Sequence, residues 1–211
     1  MKKNLLFFSL LIMTTIATAQ QLYLETGKTS SLFDYENSQG EQLQNLQSTN
    51  HNFMAFGFRG RAITNREIMG SIGVRYASYG SIGSDDTVGN FMQWDVNYLE
   101  FNMGLDHKLF SIKKGAVFIK GVTSLGFLVQ GSQTINNEVM NLKKAEEFDQ
   151  FLIDFRLGAG FSHPISDNLS FYVQYMYGKS MVWIVKPEKL KIESKNISFG
   201  LLINLSKNKI K

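Results

Sequence analysis

From residue 21 onward the chain repeats one pattern. Apolar side chains alternate with polar, charged or very small ones for about ten residues, a turn intervenes, and the alternation resumes. Eight segments carry it: 21–33, 51–63, 68–79, 94–110, 116–130, 151–162, 169–181 and 196–205. Segment 151–162 is the most legible. Phe151, Ile153, Phe155, Leu157, Ala159 and Phe161 form one set; Leu152, Asp154, Arg156, Gly158, Gly160 and Ser162 form the other. A period of two predicts a β-strand with an apolar face and a polar, glycine-rich face. The same division sets Met54, Phe56 and Phe58 against Ala55, Gly57 and Arg59, and Phe101, Met103 and Leu105 against Glu100, Asn102 and Gly104. Segment 116–130 is the least regular, because Val122 and Leu128 share a face with Lys120 and Ser124.

The intervals between segments carry a second signal. Polar stretches 34–50, 80–93, 131–150 and 183–195 are long, while 64–67, 111–115 and 163–168 are short, and the two kinds alternate strictly. Gly83-Ser84-Asp85-Asp86 reads as turn material, and 140–148 could form a helical turn or two. Outer-membrane barrels have short turns at one end and longer loops at the other. A soluble lipocalin-like ligand-binding barrel has no reason for that rhythm. The expected fold is therefore all-β, an eight-stranded antiparallel up-and-down transmembrane β-barrel with its apolar face toward lipid.

That assignment sends the charges inward. Glu25, Arg59, Arg75, Glu100, Lys120, Asp154 and Arg156 all lie opposite the apolar stripe of their strands. Eight strands enclose a space that side chains can fill, and buried charges need partners. The expectation is a lumen ion-pair network, Glu25 with Arg59 and Arg75 with Glu100, in place of an open channel. Gly57, Gly73, Gly158, Gly160 and Gly200 on the same face would make room for the arginines. Aromatic residues near strand ends suggest girdles at the two membrane interfaces: Phe33, Phe53, Tyr79, Trp94, Phe151, Tyr177 and Trp183 toward the long loops, and Phe110, Phe161 and Phe171 toward the short turns.

The first 19 residues belong to a different class. Lys2 and Lys3 precede an apolar run over 5–16, and Ala17-Thr18-Ala19 supplies a small-x-small cleavage pattern, so 1–19 reads as a secretory signal peptide and 20–211 as one barrel domain. The chain has no cysteine, which excludes disulfides, thiolate metal sites and lipoprotein anchoring. The formal charge of +4 falls to about +2 without Lys2 and Lys3, too little to argue for nucleic acid.

Candidate chemistry is sparse. His51, His107 and His163 show no metal-ligand spacing, so neither metal nor cofactor is expected. A lipid-active barrel enzyme would need a nucleophile and base near the long-loop rim, where His51 with Ser48 and Thr49 is the only candidate. Gly70-Ser71-Ile72-Gly73 falls inside a strand with no helix after it, unlike a phosphate loop. The basic stretch 186–195, with Lys186, Lys189, Lys191 and Lys195, is a candidate loop for contact with lipopolysaccharide phosphates.

With the signal segment, the strand–loop rhythm and segment 97–109, NYLEFNMGLDHKL, in view, the chain resembles the small eight-stranded outer-membrane barrels of the OmpA/OmpX and PorT-like kind. The resemblance implies a monomeric, non-enzymatic barrel of the cell outer membrane. Its partners would be outer-membrane lipid and lipopolysaccharide, or a protein bound through the long loops. The sequence runs only six residues past the last segment, so no peptidoglycan-binding domain is expected, and it ends on Lys211 where many such barrels end on an aromatic residue.

Overall fold

The computed structural model describes residues 21–36, 39–40, 45–63, 67–85, 90–142, 151–181 and 189–205. Nine antiparallel strands form: β1 (Gln21–Glu36), β2 (Gln47–Arg61), β3 (Ile68–Asp85), β4 (Asn90–Ile112), β5 (Gly115–Ile135), β6 (Glu138–Asn141), β7 (Leu152–Pro164), β8 (Leu169–Met181) and β9 (Lys189–Asn204). Eight of them pair neighbour to neighbour and close between β1 and β9; β6 pairs only with β5, outside the ring. The expected eight-stranded up-and-down barrel is the fold. The signal-peptide reading of 1–19 concerns residues outside those described.

The register fixes the barrel's shape. Paired residues run from Leu22 through Phe58, Ile72, Met103, Thr123, Phe155, Lys179 and Glu193, and return to β1 at Leu32, ten residues beyond the start. With a rise of about 3.3 Å per residue and about 4.8 Å between strands, this stagger tilts the strands about 40° from the axis.

Alternation then sorts the side chains. Leu157 is 70% exposed and Ile197 66%, whereas Glu100 is 0% exposed and Arg75 3%. Water-soluble sheets do the reverse, since large apolar surface left in water is unfavourable and charge is seldom buried. A barrel with a greasy outside and a charged inside fits hydrocarbon. On that outer face Phe127 stacks edge-on against both Phe101 and Phe151.

Two expectations change. Strands extend further at the long-loop end than the alternation does: β3 and β4 remain paired up to Asp85 and Asn90, so Gly83-Ser84-Asp85 is strand. Above the hydrocarbon no face has to be apolar, and the pattern fades while the hydrogen-bonded ladder continues. Residues 138–141 are likewise strand, so the helical turn or two read over 140–148 does not begin at 140. Asn136 and Asn137 hold φ of 49° and 72°, the left-handed pair of a two-residue hairpin turn. Leu142 follows and is buried; 143–148 lie outside the described residues.

The girdle assignment is corrected for four rings. Phe33, Phe53, Tyr79 and Trp94 point into the lumen, where they pack with Ala77, Val96, Tyr98, Leu142 and Ile192. Their parity already matched the charged residues of their strands: Phe33 with Glu25, Phe53 with Arg59, Tyr79 with Arg75, and Trp94 with Glu100. Phe110, Phe151 and Tyr177 do face outward, Phe161 and Phe171 are half-buried, and Trp183 is outside the described residues.

Candidate functional site

The lumen is built in layers. At the short-turn end the Arg59 guanidinium forks onto the Asp106 carboxylate, with Nε 3.0 Å from Oδ1, and Nη1 donates to Gln21 Oε1 at 2.7 Å. Gln21 in turn donates to Asn204 at 2.8 Å across the β1–β9 seam. Ser71 and Gly104, which pair with each other and with Arg59 through β3, are small enough for Arg59 to reach β4. The expected partner, Glu25, is engaged elsewhere. It accepts from Tyr172 Oη at 2.7 Å and from Gln174 Nε2 at 2.9 Å.

Mid-barrel, Glu100 is the hub. Arg75 Nη1 lies 3.4 Å and Arg156 Nη2 3.1 Å from its Oε2, while Tyr79 Oη donates to Oε1. Arg75 Nη2 also donates to Thr29 Oγ1 at 3.0 Å and Asn196 Oδ1 at 2.8 Å, linking β3 to β1 and β9. Its guanidinium sits 4.0 Å from the Phe53 ring centroid. Arg156 donates to Asn102 Oδ1 at 3.0 Å. Its Nε lies 3.1 Å from Asp154 Oδ2, within ion-pair reach but out of line for a hydrogen bond. Arg75 and Glu100 thus meet as their register suggested, and Asp154 and Arg156 join them.

Lys120 stands apart, its Nζ 5.6 Å from the Tyr23 ring centroid and 5.9 Å from that of Tyr172. Asp106 was missed by sequence reasoning, although it continues the Glu100, Asn102, Gly104 series. Including it balances four cations against four anions. The glycines mostly serve tyrosines. Tyr23 lies against Gly57 and Gly73 and Tyr172 against Gly200, each so closely that a Cβ would collide with the ring; Arg156 instead packs against Gly178.

The layers leave little space. Two small cavities, of about 40 and 20 Å³, adjoin Gln174 and Lys120, with room for a few waters. Above them the aromatic cluster around Phe33, Trp94 and Leu142 occupies the long-loop end.

At the rim, His51 Nε2 lies 2.8 Å from Thr49 Oγ1 and 3.6 Å from Asp95 Oδ1. A nucleophile–base–acid relay requires the hydroxyl on one ring nitrogen and the acid on the other. Here both partners face the same nitrogen, and Ser48 stands in the backbone ladder opposite Ser81. His107 faces the Glu67 carbonyl and His163 packs between Phe161 and Phe171. Among the described residues no three His, Cys, Asp or Glu side chains converge as metal ligands.

The basic stretch is corrected from loop to strand. Lys186 lies outside the described residues. Lys189 opens β9 opposite Glu36, and the pairing continues to Lys195 opposite Ser30. Lys191 and Lys195 fall on the outward face, with Glu193 between them. Glu193 accepts from Lys179 of β8.

No family model matches the chain, and no curated protein matches it. Solved structures do align. Neisserial surface protein A aligns at 12% identity and a TM-score of 0.48, over 87% of this chain and 97% of its own. Ail, the attachment invasion locus protein of Yersinia pestis, solved with the heparin analogue sucrose octasulfate, aligns at 13% and 0.47, over 88% and 99%. The outer membrane protease OmpT of Escherichia coli aligns at 7% and 0.48, over 89% and 97%. Likeness this distant transfers no role. The barrel stands on its own strand pairing and inverted polarity.

Proposed function

We propose that the chain is a non-enzymatic, monomeric integral protein of the cell outer membrane. In this reading it belongs with the small barrels of the OmpA/OmpX and PorT-like kind, and residues 1–19 are a cleaved signal peptide. The carrying observation is the combination of an apolar exterior with a charged lumen, in which Arg59 meets Asp106 and Arg75 and Arg156 meet Glu100 and in which the cavities beside Gln174 and Lys120 are small. A barrel filled in this way has no path for solutes, so its work falls to its surfaces. The long-loop end, extended by β3–β6, is the region that reaches beyond the membrane toward a protein partner. The outward lysines Lys191 and Lys195 face lipopolysaccharide phosphates.

A lipid-active enzyme built on His51 is the weaker reading, because Thr49 and Asp95 compete for one nitrogen of the ring. Fractionation tests the main proposal. Recovery in the detergent-extracted outer membrane, with gel mobility that changes on heating, is expected. Recovery as a soluble periplasmic protein would refute it. Bilayer recordings should show no conductance above background, and deleting the loops should abolish partner pull-down.

A further inference from the structure

The outward face breaks its apolar rule along one line. Lys28 on β1, Lys195 on β9 and Lys179 on β8 all occupy positions of the lipid-facing set, continuing Leu24 and Thr26, Phe199 and Ile197, and Tyr175 and Tyr177. Lys28 pairs with Ile197 while Lys195 pairs with Ser30; Lys195 pairs with Tyr177 while Lys179 pairs with Glu193. The three lysines are therefore successive diagonal neighbours, about 7–8 Å apart. The ten-residue stagger lifts each strand by about 1.25 residues relative to the last, and the diagonal steps cancel that lift. All three come to one level, within about 4 Å along the barrel axis. On the neighbouring strands, where β7 adjoins β8 and β5 adjoins β7, the apolar belt continues through Phe151 and Phe127, about 6–9 Å above that level. The lysine row thus lies low, beside hydrocarbon, where an ammonium group is costly unless it meets an anion.

A second feature leads away from the same row. A trough in the outer surface begins at Tyr177 and Lys179, descends past Phe155 and Leu157 to Gly121 and Thr123, and continues past Met103 and Ile72 to Gly60 on β2, about 890 Å³ over its whole length. Its size and mostly apolar lining with a few polar groups are those of a ligand site. Lys179 already has a carboxylate, Glu193. Among the described residues Lys28 and Lys195 form no ion pair.

We propose that this surface is a specific lipid site for the phosphorylated glycolipid of the outer leaflet. Its phosphates lie over Lys28, Lys195 and Lys179, and one acyl chain lies in the trough floored by Gly121. The proposal rests on the outer-membrane reading and narrows its lipid partner to one face of the barrel. Amphipathic lysine stems lie along the apolar wall while their amines meet phosphate, and the chain beneath fills surface that small residues leave open.

The test uses the full chain, folded in nanodiscs of phosphatidylcholine with bisphosphorylated lipid A added, and native mass spectrometry of what the barrel retains. Wild type should retain lipid A in preference to phosphatidylcholine. K28Q/K195Q should bind it about thirtyfold more weakly, equivalent to about 2 kcal/mol. Gly121→Leu should lower occupancy about threefold. A Cβ there comes no closer than 3.9 Å to Leu157, so the variant folds, as heat-dependent gel mobility verifies. Lys108→Gln, whose lysine pairs with Glu67 at the short-turn end, should retain lipid A as wild type does. Unchanged retention in K28Q/K195Q, or equal retention of phosphatidylcholine, overturns the headgroup site. Unchanged retention in Gly121→Leu overturns the acyl trough. Recovery of wild type from a compartment other than the outer membrane removes the outer-membrane reading and this site together. A barrel found in the outer membrane whose K28Q/K195Q form still keeps lipid A loses only the site.

Discussion

Replacing Glu100 with Gln keeps the side chain's shape and removes one charge at the centre of the lumen. Two guanidinium groups, 3.1 and 3.4 Å from its Oε2, lose their shared carboxylate. At an effective dielectric of about 20, each contact amounts to about 5 kcal/mol of attraction. The desolvation of each ion offsets much of that, and breaking one member of a buried set typically costs about 3–5 kcal/mol. We expect E100Q to lose about that much, with Asp154 sharing the orphaned charge. The measurement is reversible urea unfolding in lipid vesicles, followed by tryptophan fluorescence and gel mobility. A companion variant, R75M/E100Q, removes a cation with the anion and should recover at least 1–2 kcal/mol of the loss. If E100Q unfolds within 1 kcal/mol of wild type, or the double variant is no better than the single, Glu100 is not the electrostatic hub described here.

Other outcomes follow from the same geometry. The chain lacks cysteine, so F155C and R156C can be labelled without background; lipid-soluble reagents should reach Phe155Cys and water-soluble ones should reach neither well, whereas rapid aqueous labelling at Phe155Cys would indicate a soluble barrel. Leu157→Arg, near mid-belt, should destabilise the membrane-inserted barrel by about 2–4 kcal/mol in vesicle unfolding; a neutral result would mean that face meets water. Gly200→Leu should displace Tyr172 and break its hydrogen bond to Glu25, costing about 2–4 kcal/mol in the same assay, and a stability equal to wild type would mean the ring packs elsewhere.

Membrane-facing strands were readable because one constraint, apolar toward lipid, acts on every second residue of the span. Phe155 and Arg156 declare their faces without any tertiary information. Strand ends were less readable, because Ile82 to Asp85 lie where lipid no longer selects and only the backbone ladder holds them. The lumen was readable by parity but not by partner. Register on neighbouring strands was enough for Arg75 and Glu100, which pair directly. Arg59 reaches past β3 to Asp106, and Glu25 reaches past β9 to Tyr172; such choices depend on which intervening residues are small. The four rings placed in a girdle were judged by height alone, when their alternation already placed them inside. The lysines of β9 were taken for a loop because the apolar positions before Ile197, Leu190 and Ile192, have the opposite parity to Ile197, facing the lumen where the membrane-level strand faces lipid.

The polar contacts across the β1–β9 seam have a consequence for how the barrel is made. Gln21 meets Asn204, and Arg75 is complete only when Thr29 of β1 and Asn196 of β9 arrive together. Those two strands stand at opposite ends of the sequence, so the last register to form is also the one that satisfies the interior. An open sheet in the bilayer would present unmatched guanidinium groups to hydrocarbon, and partial closure relieves none of that penalty. Assembly is thereby steered toward a single late event, in which zipping the seam and neutralising the lumen are one step.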